Sequence, residues 1–148
     1  MHIVFGSDHA GYKMKQALKE HLKNKSHEPY NLFIMDIGCS TDEQKSDYPD
    51  FAKSLCEEVV KLKCVGILVC GTGIGISIAA NRNPGIRCAL CHSVETAKMA
   101  RNHNNANVLA LGGRITDEET AKNIFDTFLS EKFEGGRHQN RLDKIDLK

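Results

Sequence analysis

Cys70 stands between the apolar run Gly66-Ile67-Leu68-Val69 and the loop Gly71-Thr72-Gly73-Ile74-Gly75. A buried free cysteine is more often core packing than a reactive group, but this one closes a predicted strand. Ile76-Ser77-Ile78-Ala79-Ala80 reads as the start of the next helix, and the positive end of a helix favours thiolate over thiol. The glycines let a ligand approach the backbone, where N–H groups can receive negative charge as it develops on oxygen. A thiolate base beside such donors suits removal of a proton next to a carbonyl. The loop alone is a weak signal. Its spacing is GxGxG, which is neither GxGxxG nor GxxxxGK[ST], and the next strand ends in Cys91-His92-Ser93 without a ribose-binding acid.

Other chemistry-bearing residues come after the other predicted strands. "GSDHAG" gives Asp8 and His9, "GGR" gives Arg114, and "ARNHNNANV", at the end of the helix after strand four, gives His103 and Asn104. Singly, each has a bland reading as a surface or capping residue. Together they suggest a small-molecule site in which acid, base, thiol and guanidinium groups gather at one rim of a sheet. Arg137 and Arg141 are four apart in the tail; on a helix they share a face and are spaced to grip a phosphate.

The elements that must position these groups alternate between strand and helix. Strands are predicted at 2–6, 31–38, 66–70, 85–91 and 107–113. A helix from about Gly11 to Lys25 carries Met14, Ala17, Leu18, His21 and Leu22 on one face. Pro49 suits the first turn of a second helix, whose face is Ala52, Leu55, Cys56, Val59 and Leu62. Ser93 is a candidate N-cap for a helix to about Asn102. Thr116 with Glu119 has capping-box spacing, ahead of Ala121, Ile124, Phe125 and Phe128. After Gly135-Gly136 the tail should end in a short polar helix. Five strands alternating with helices predict a mostly parallel sheet covered on both faces, with ligands at the carboxyl ends of the strands.

Composition narrows the classes. The 148 residues fit one domain, 1–148, with about 134–148 as a tail that contributes to the site or an interface. A formal net charge of +1 gives no reason to expect nucleic acid or an anionic membrane. No apolar run reaches the roughly 20 residues of a membrane span. The start "HIVFG" lacks the features of a secretory signal. That context favours reduced thiols for Cys39, Cys56, Cys64, Cys70, Cys88 and Cys91. Cys88 and Cys91, three apart on a strand, should face opposite sides. No histidine cluster has metal-ligand spacing, so no metal is expected.

"GSDHAGYKMK", "SDYPDFA", "GILVCGTGIGISIAANRNPGIRCAL", "RNHNNANVLALGGR" and "FEGGRHQNR" together resemble the ribose-5-phosphate isomerase B family, within the RpiB/LacAB sugar-phosphate isomerases. The resemblance runs from about Ile3 to Arg141. It implies a Rossmann-like three-layer α/β/α sandwich with a five-stranded parallel sheet. It also implies a cytoplasmic homodimer, or a dimer of dimers, with active sites shared between subunits. The implied reaction interconverts D-ribose 5-phosphate and D-ribulose 5-phosphate through a cis-enediolate, with no cofactor.

Carried over by position, Cys70 moves the proton between C2 and C1. Thr72 and the N–H groups of Gly71, Thr72, Gly73, Ile74 and Gly75 hold the enediolate. His103, assisted by Asp8, opens the sugar ring. His9, Arg114, Arg137 and Arg141 bind the phosphate, and Asn104 orients the sugar. Where one branch of the family has a glutamate base, this chain has Ile76, which leaves the proton transfer to Cys70. Related galactose-6-phosphate isomerase subunits commonly lack the "RNHN" histidine and the "EGGRHQ" tail, both present here. Alternatives are a hexose-phosphate isomerase, acting on allose or galactose 6-phosphate, and a non-catalytic phosphosugar-binding module.

Overall fold

The computed structural model describes residues 1–25 and 32–146. In chain order its elements are β1 (His2–Ser7), a 3-10 turn (His9–Gly11), α1 (Tyr12–Lys25), β2 (Phe33–Asp36), α2 (Tyr48–Leu62), β3 (Val65–Cys70) and α3 (Ile74–Ala80). Then come β4 (Cys88–Leu90), α4 (Val94–Asn102), β5 (Val108–Gly112), α5 (Glu118–Ser130), a second 3-10 turn (Gly136–His138) and α6 (Gln139–Ile145). The sheet is all parallel, in the order β2-β1-β3-β5-β4.

Strand side chains alternate between faces, and two cores result. Ile3, Phe5, Ile67, Val69, Leu109 and Leu111 meet Leu18, Ala97, Ile124, Phe125 and Phe128 from α1, α4 and α5. Val4, Leu68, Cys70, Val108 and Ala110 meet Leu55, Val59, Ile76 and Ala80 from α2 and α3. The expected three-layer α/β/α sandwich is what the chain forms. Cys91 joins the first core and Cys88 packs against the second, on opposite faces as their spacing requires.

Adjacent strands β1 and β3 send their following helices to opposite faces of the sheet. Their carboxyl ends therefore flank a crevice, the usual ligand position in an open parallel sheet. Gly11 makes that crevice tight. A Cβ there would lie 2.2 Å from the Val69 carbonyl oxygen, so only glycine lets the turn after β1 pack on β3. Among the described residues no helix is long and apolar enough to cross a membrane.

Several boundaries differ from expectation. The predicted start of strand two at Asn31, like the last two residues of the tail, lies outside the described residues; β2 runs only over Phe33–Asp36. The predicted strand 85–91 shortens to Cys88–Leu90, because Gly85 turns with φ +78° and the Ile86 N–H bonds back to the Asn83 carbonyl. The Thr116–Glu119 capping box does not form. The Thr116 N–H belongs to the turn after β5, bonding the Gly112 carbonyl, so Asp117 caps α5 by accepting from the Thr120 N–H at 2.9 Å. On α1, Lys15 is buried beside Met14, Leu18 and Leu22, which the apolar pattern did not signal.

Candidate active site

At the tip of β3, Cys70 is 4 % exposed and its Sγ accepts the Gly73 N–H at 3.1 Å. Gly73 has φ +78°, a left-handed conformation that glycine tolerates, and it caps α3. That backbone turn aims the amide back at the sulfur. A donor held on sulfur gains strength as the sulfur carries charge. The Ile74 N–H is also engaged within the loop, donating to Thr72 Oγ1 at 3.3 Å. Two bonds from the loop after β5 brace the glycines: Gly113 N–H to the Cys70 carbonyl (2.8 Å) and Arg114 N–H to the Gly71 carbonyl (3.0 Å).

The other groups of this rim come from the ends of β1 and β5 and the start of α2. Asp8 is buried and accepts the Gly11 N–H at 3.0 Å, which caps the turn. His9 is half-buried. Its N–H donates to Ser46 Oγ (3.1 Å) and its Nδ1 accepts the Ser46 N–H (3.2 Å), leaving Nε2 as the other ring nitrogen. Arg114 lies over the loop, its Nη1 3.5 Å from where a Cβ on Gly71 would be. The Tyr48 ring packs so closely on Gly75 that a Cβ there would lie 2.5 Å from Cζ. Neither Ser46 nor Tyr48 was named as a site residue from the sequence, although both lie within the "SDYPDFA" motif.

His103 and Asn104 are not on this rim. The helix after β4 begins at the carboxyl edge of the sheet and runs back, so it ends at the opposite edge. His103 caps α4, its N–H bonding the Met99 carbonyl. The chain then passes the starts of β3 and β4: the Gly66 N–H bonds the Asn107 carbonyl, and the Asn107 N–H bonds the Arg87 carbonyl. Gly66 pairs with Val108 and Cys70 with Gly112. That is four residues of strand, or about 13 Å, between the two levels. The expectation of one rim fails for this pair of residues, and no contact joins His103 to Asp8.

The tail gathers around His103 instead. Asn102 is buried, its side-chain amide donating to Glu131 Oε2 (2.9 Å) and the Lys132 carbonyl (2.8 Å), while its own carbonyl accepts the Glu134 N–H. The rings of His103 and His138 stack with centroids 4.3 Å apart and planes 11° from parallel. Arg87 binds the Asn104 carbonyl at 3.1 Å and pairs with Asp146, which ties α6 to the same edge. Arg137 lies in the second 3-10 turn and Arg141 in α6, both exposed. Burial, and then the charges of His103 and Arg137, hold His138 below the ordinary imidazole value; Glu134 pulls the other way, and Arg141 adds the least.

His103, Glu134 and His138 place three ligand-type atoms within 4.8 Å of one another. Stacked, nearly parallel rings direct their in-plane lone pairs side by side rather than to one point, which suits aromatic packing better than a metal. Burial pushes the Cys56 thiol up to about 12 and Cys91 up to about 11, so neither ionises near neutrality.

Each chain thus carries two groupings at opposite sheet edges. One holds Asp8, His9, Cys70, the loop 71–75 and Arg114; the other holds His103, Asn104, Arg137 and Arg141. The family model for Ribose/Galactose Isomerase matches residues 3–145. Ribose-5-phosphate isomerase B of Escherichia coli is 42 % identical, over 97 % of this chain and 93 % of its own. A solved structure of the Clostridium thermocellum ribose-5-phosphate isomerase B superposes with a TM-score of 0.91 at 45 % identity, covering 99 % of this chain and 95 % of that one. The Mycoplasma genitalium ribose-5-phosphate isomerase B, solved with bound ribulose 5-phosphate, gives 0.90 at 43 %, covering 98 % and 93 %.

Proposed function

The chain belongs to the Ribose/Galactose Isomerase family, and from that premise we propose that it interconverts D-ribose 5-phosphate and D-ribulose 5-phosphate in the cytoplasm, as a homodimer with shared sites. The observation that carries the chemistry is the Cys70 sulfur at a strand tip with the Gly73 amide aimed at it. Cys70 takes the proton from C2 and returns it to C1. The Gly73 and Ile74 amides are already engaged with Cys70 and Thr72, so Gly71, Thr72 and Gly75 supply the N–H donors to the enediolate oxygens. Ile76 is fully buried, and a hydrocarbon side chain takes no proton.

His103 opens the furanose ring, and it reaches the substrate from the second subunit. The separation of the two groupings supports this reading, because a pentose spans far less than the distance between sheet edges. So does the surface. Ile74 and Ile78, four apart on α3, are 52 % and 55 % exposed beside the loop, an apolar strip that a second copy would cover. Along the β4 edge an apolar groove of about 400 Å³ is lined by Leu90, Met99, Asn104 and Ile145 among others. A two-fold dimer covering these faces sets the His103 grouping of one chain over the Cys70 grouping of the other. His9 and Arg114 then meet Arg137 and Arg141 of the partner copy around the phosphate.

The test is proton exchange. In D₂O with ribose 5-phosphate the wild type should label the transferred position and form ribulose 5-phosphate. Cys70→Ala should lose about 10²–10⁴-fold in turnover, the usual worth of a positioned acid–base group, while still binding inorganic phosphate. Phosphosugar binding without exchange in the wild type would leave a binding module, and full exchange in Cys70→Ala would remove the base.

A further inference from the structure

We infer that Ser46 is a positioning residue whose backbone N–H fixes the His9 ring with its hydrogen on Nε2, so that His9 presents a donor, and no acceptor, to an anionic ligand. The inference rests on the proposed assignment of His9 to the phosphate end of the substrate.

A neutral imidazole has one donor and one acceptor nitrogen, and a neighbouring group decides which is which. Most side-chain partners leave the choice open, because hydroxyls rotate and carboxylates protonate. A backbone amide does not. It can only donate, so the 3.2 Å bond from the Ser46 N–H requires a lone pair on His9 Nδ1. The ring hydrogen must then sit on Nε2. The reverse bond, His9 N–H to Ser46 Oγ at 3.1 Å, closes a two-bond clasp across 37 residues of sequence. The phosphate of a sugar monoester dianion accepts hydrogen bonds and donates none, and inorganic phosphate near neutrality has more acceptors than donors, so an Nε2–H is the complement of either.

A tautomer set by a loop is only as fixed as the loop, and the stretch between β2 and α2 has no regular structure. It is held at points on both sides of Ser46. Lys15, 1 % exposed, donates from Nζ to Asp36 Oδ1 and to the Cys39 carbonyl, each at 2.8 Å. The Cys39 N–H bonds the Ser7 carbonyl at 2.9 Å. Lys13 pairs with Asp42 at 3.0 Å. Beyond Ser46, the Tyr48 ring is wedged on Gly75. An ammonium is costly to bury unless it is paired and hydrogen-bonded. Lys15 is both, and the segment it braces carries the clasp on His9.

The experiment combines ring-nitrogen NMR with phosphate binding. In ¹⁵N-labelled wild type near neutral pH, with His9 assigned by comparison with His9→Gln, Nδ1 should resonate as an unprotonated nitrogen and Nε2 as a protonated one. Ser46→Ala keeps the amide and should keep the tautomer. Ser46→Pro removes the amide hydrogen; it should release the tautomer and weaken inorganic phosphate binding about 3- to 10-fold, the worth of one hydrogen bond. KM for ribose 5-phosphate should rise by the same factor with kcat within about twofold, since the bond acts on binding rather than on proton transfer. A protonated Nδ1 in the wild type overturns the inference, as does Ser46→Pro with a released tautomer and unchanged phosphate affinity. If Ser46→Pro fails to fold, the wild-type and Ser46→Ala spectra still decide. Neither the spectra nor the phosphate titration needs turnover, so an inactive wild type with the expected tautomer would sink the isomerase reading and leave this one standing.

Discussion

A pair of inactive variants should restore each other. Cys70→Ala and His103→Ala remove groups at opposite edges of the sheet, about 13 Å or more apart along β3 and β5. C2 of a pentose and its ring oxygen are separated by a few bonds, so on the proposed roles the two side chains must reach one substrate from different chains. Each variant alone should lose about 10²–10⁴-fold in turnover. In a two-fold dimer of one variant with the other, one site draws Cys70 and His103 from the two intact positions, and the second site holds both lesions. Purified mixed dimers should therefore show about half the wild-type rate per dimer, and an unfractionated equal mixture about one quarter. The assay is co-expression of differently tagged chains, tandem purification and ribulose 5-phosphate formation. Mixed dimers no more active than either parent would put both groups in one chain and refute the separation of the two edges as the reason for sharing.

Gly73 and Lys15 give two further tests. Gly73→Ala puts a Cβ at φ +78°, 2.5 Å from Leu90 Cδ1 and 2.9 Å from the Leu111 carbonyl carbon. It should cost about 1–3 kcal/mol in urea unfolding and reduce turnover by moving the amide off Cys70; unchanged values of both would contradict the strained cap. Burial alone would raise the Asp36 carboxyl, but hydrogen bonds from Lys15, Lys19 and the Gly38 N–H together outweigh it and hold Asp36 below the ordinary carboxylate value. A depressed folded-state pKa adds stability that is present above about pH 4 and lost as pH falls through the folded value. Lys15→Met should lower stability near neutrality by about 1–2 kcal/mol, less than the loss of a fully buried partner because Lys19 still pairs with Asp36. It should also shrink the stability lost as pH falls below about 4, read as urea midpoints against pH; an unaltered acid limb would show that Lys15 does not set it.

The sheet, its two covered faces and the tip position of Cys70 were legible because each depends on local pattern. Alternating apolar residues select a face, and a strand followed by glycines and a helix fixes where a side chain must emerge. The capping of α5 and the length of β4 were not, since both turn on which amide a loop carbonyl claims: Gly112 takes Thr116, and Asn83 takes Ile86. Lys15 escaped for a related reason. Its burial depends on Asp36 and the Cys39 carbonyl, contacts made 21 and 24 residues away, which no helical periodicity encodes.

The placement of His103 is the instructive failure. Grouping it with Asp8, Cys70 and Arg114 treats "after a strand" as a location, whereas only the residues immediately after a parallel strand lie at its carboxyl edge. Val94–Asn102 carries the chain back across the sheet, and the residues after that helix lie at the other edge. The same topology that separates His103 from Cys70 within one chain brings Arg137 and Arg141 to His103, through Glu134 on Asn102 and His138 on the His103 ring. On the proposed roles, the ring-opening and phosphate-binding groups would therefore travel together, as one preassembled half. In the proposed two-fold dimer the Cys70 end of one sheet would meet the His103 end of the other, so that the two halves of the site are built separately and completed by pairing.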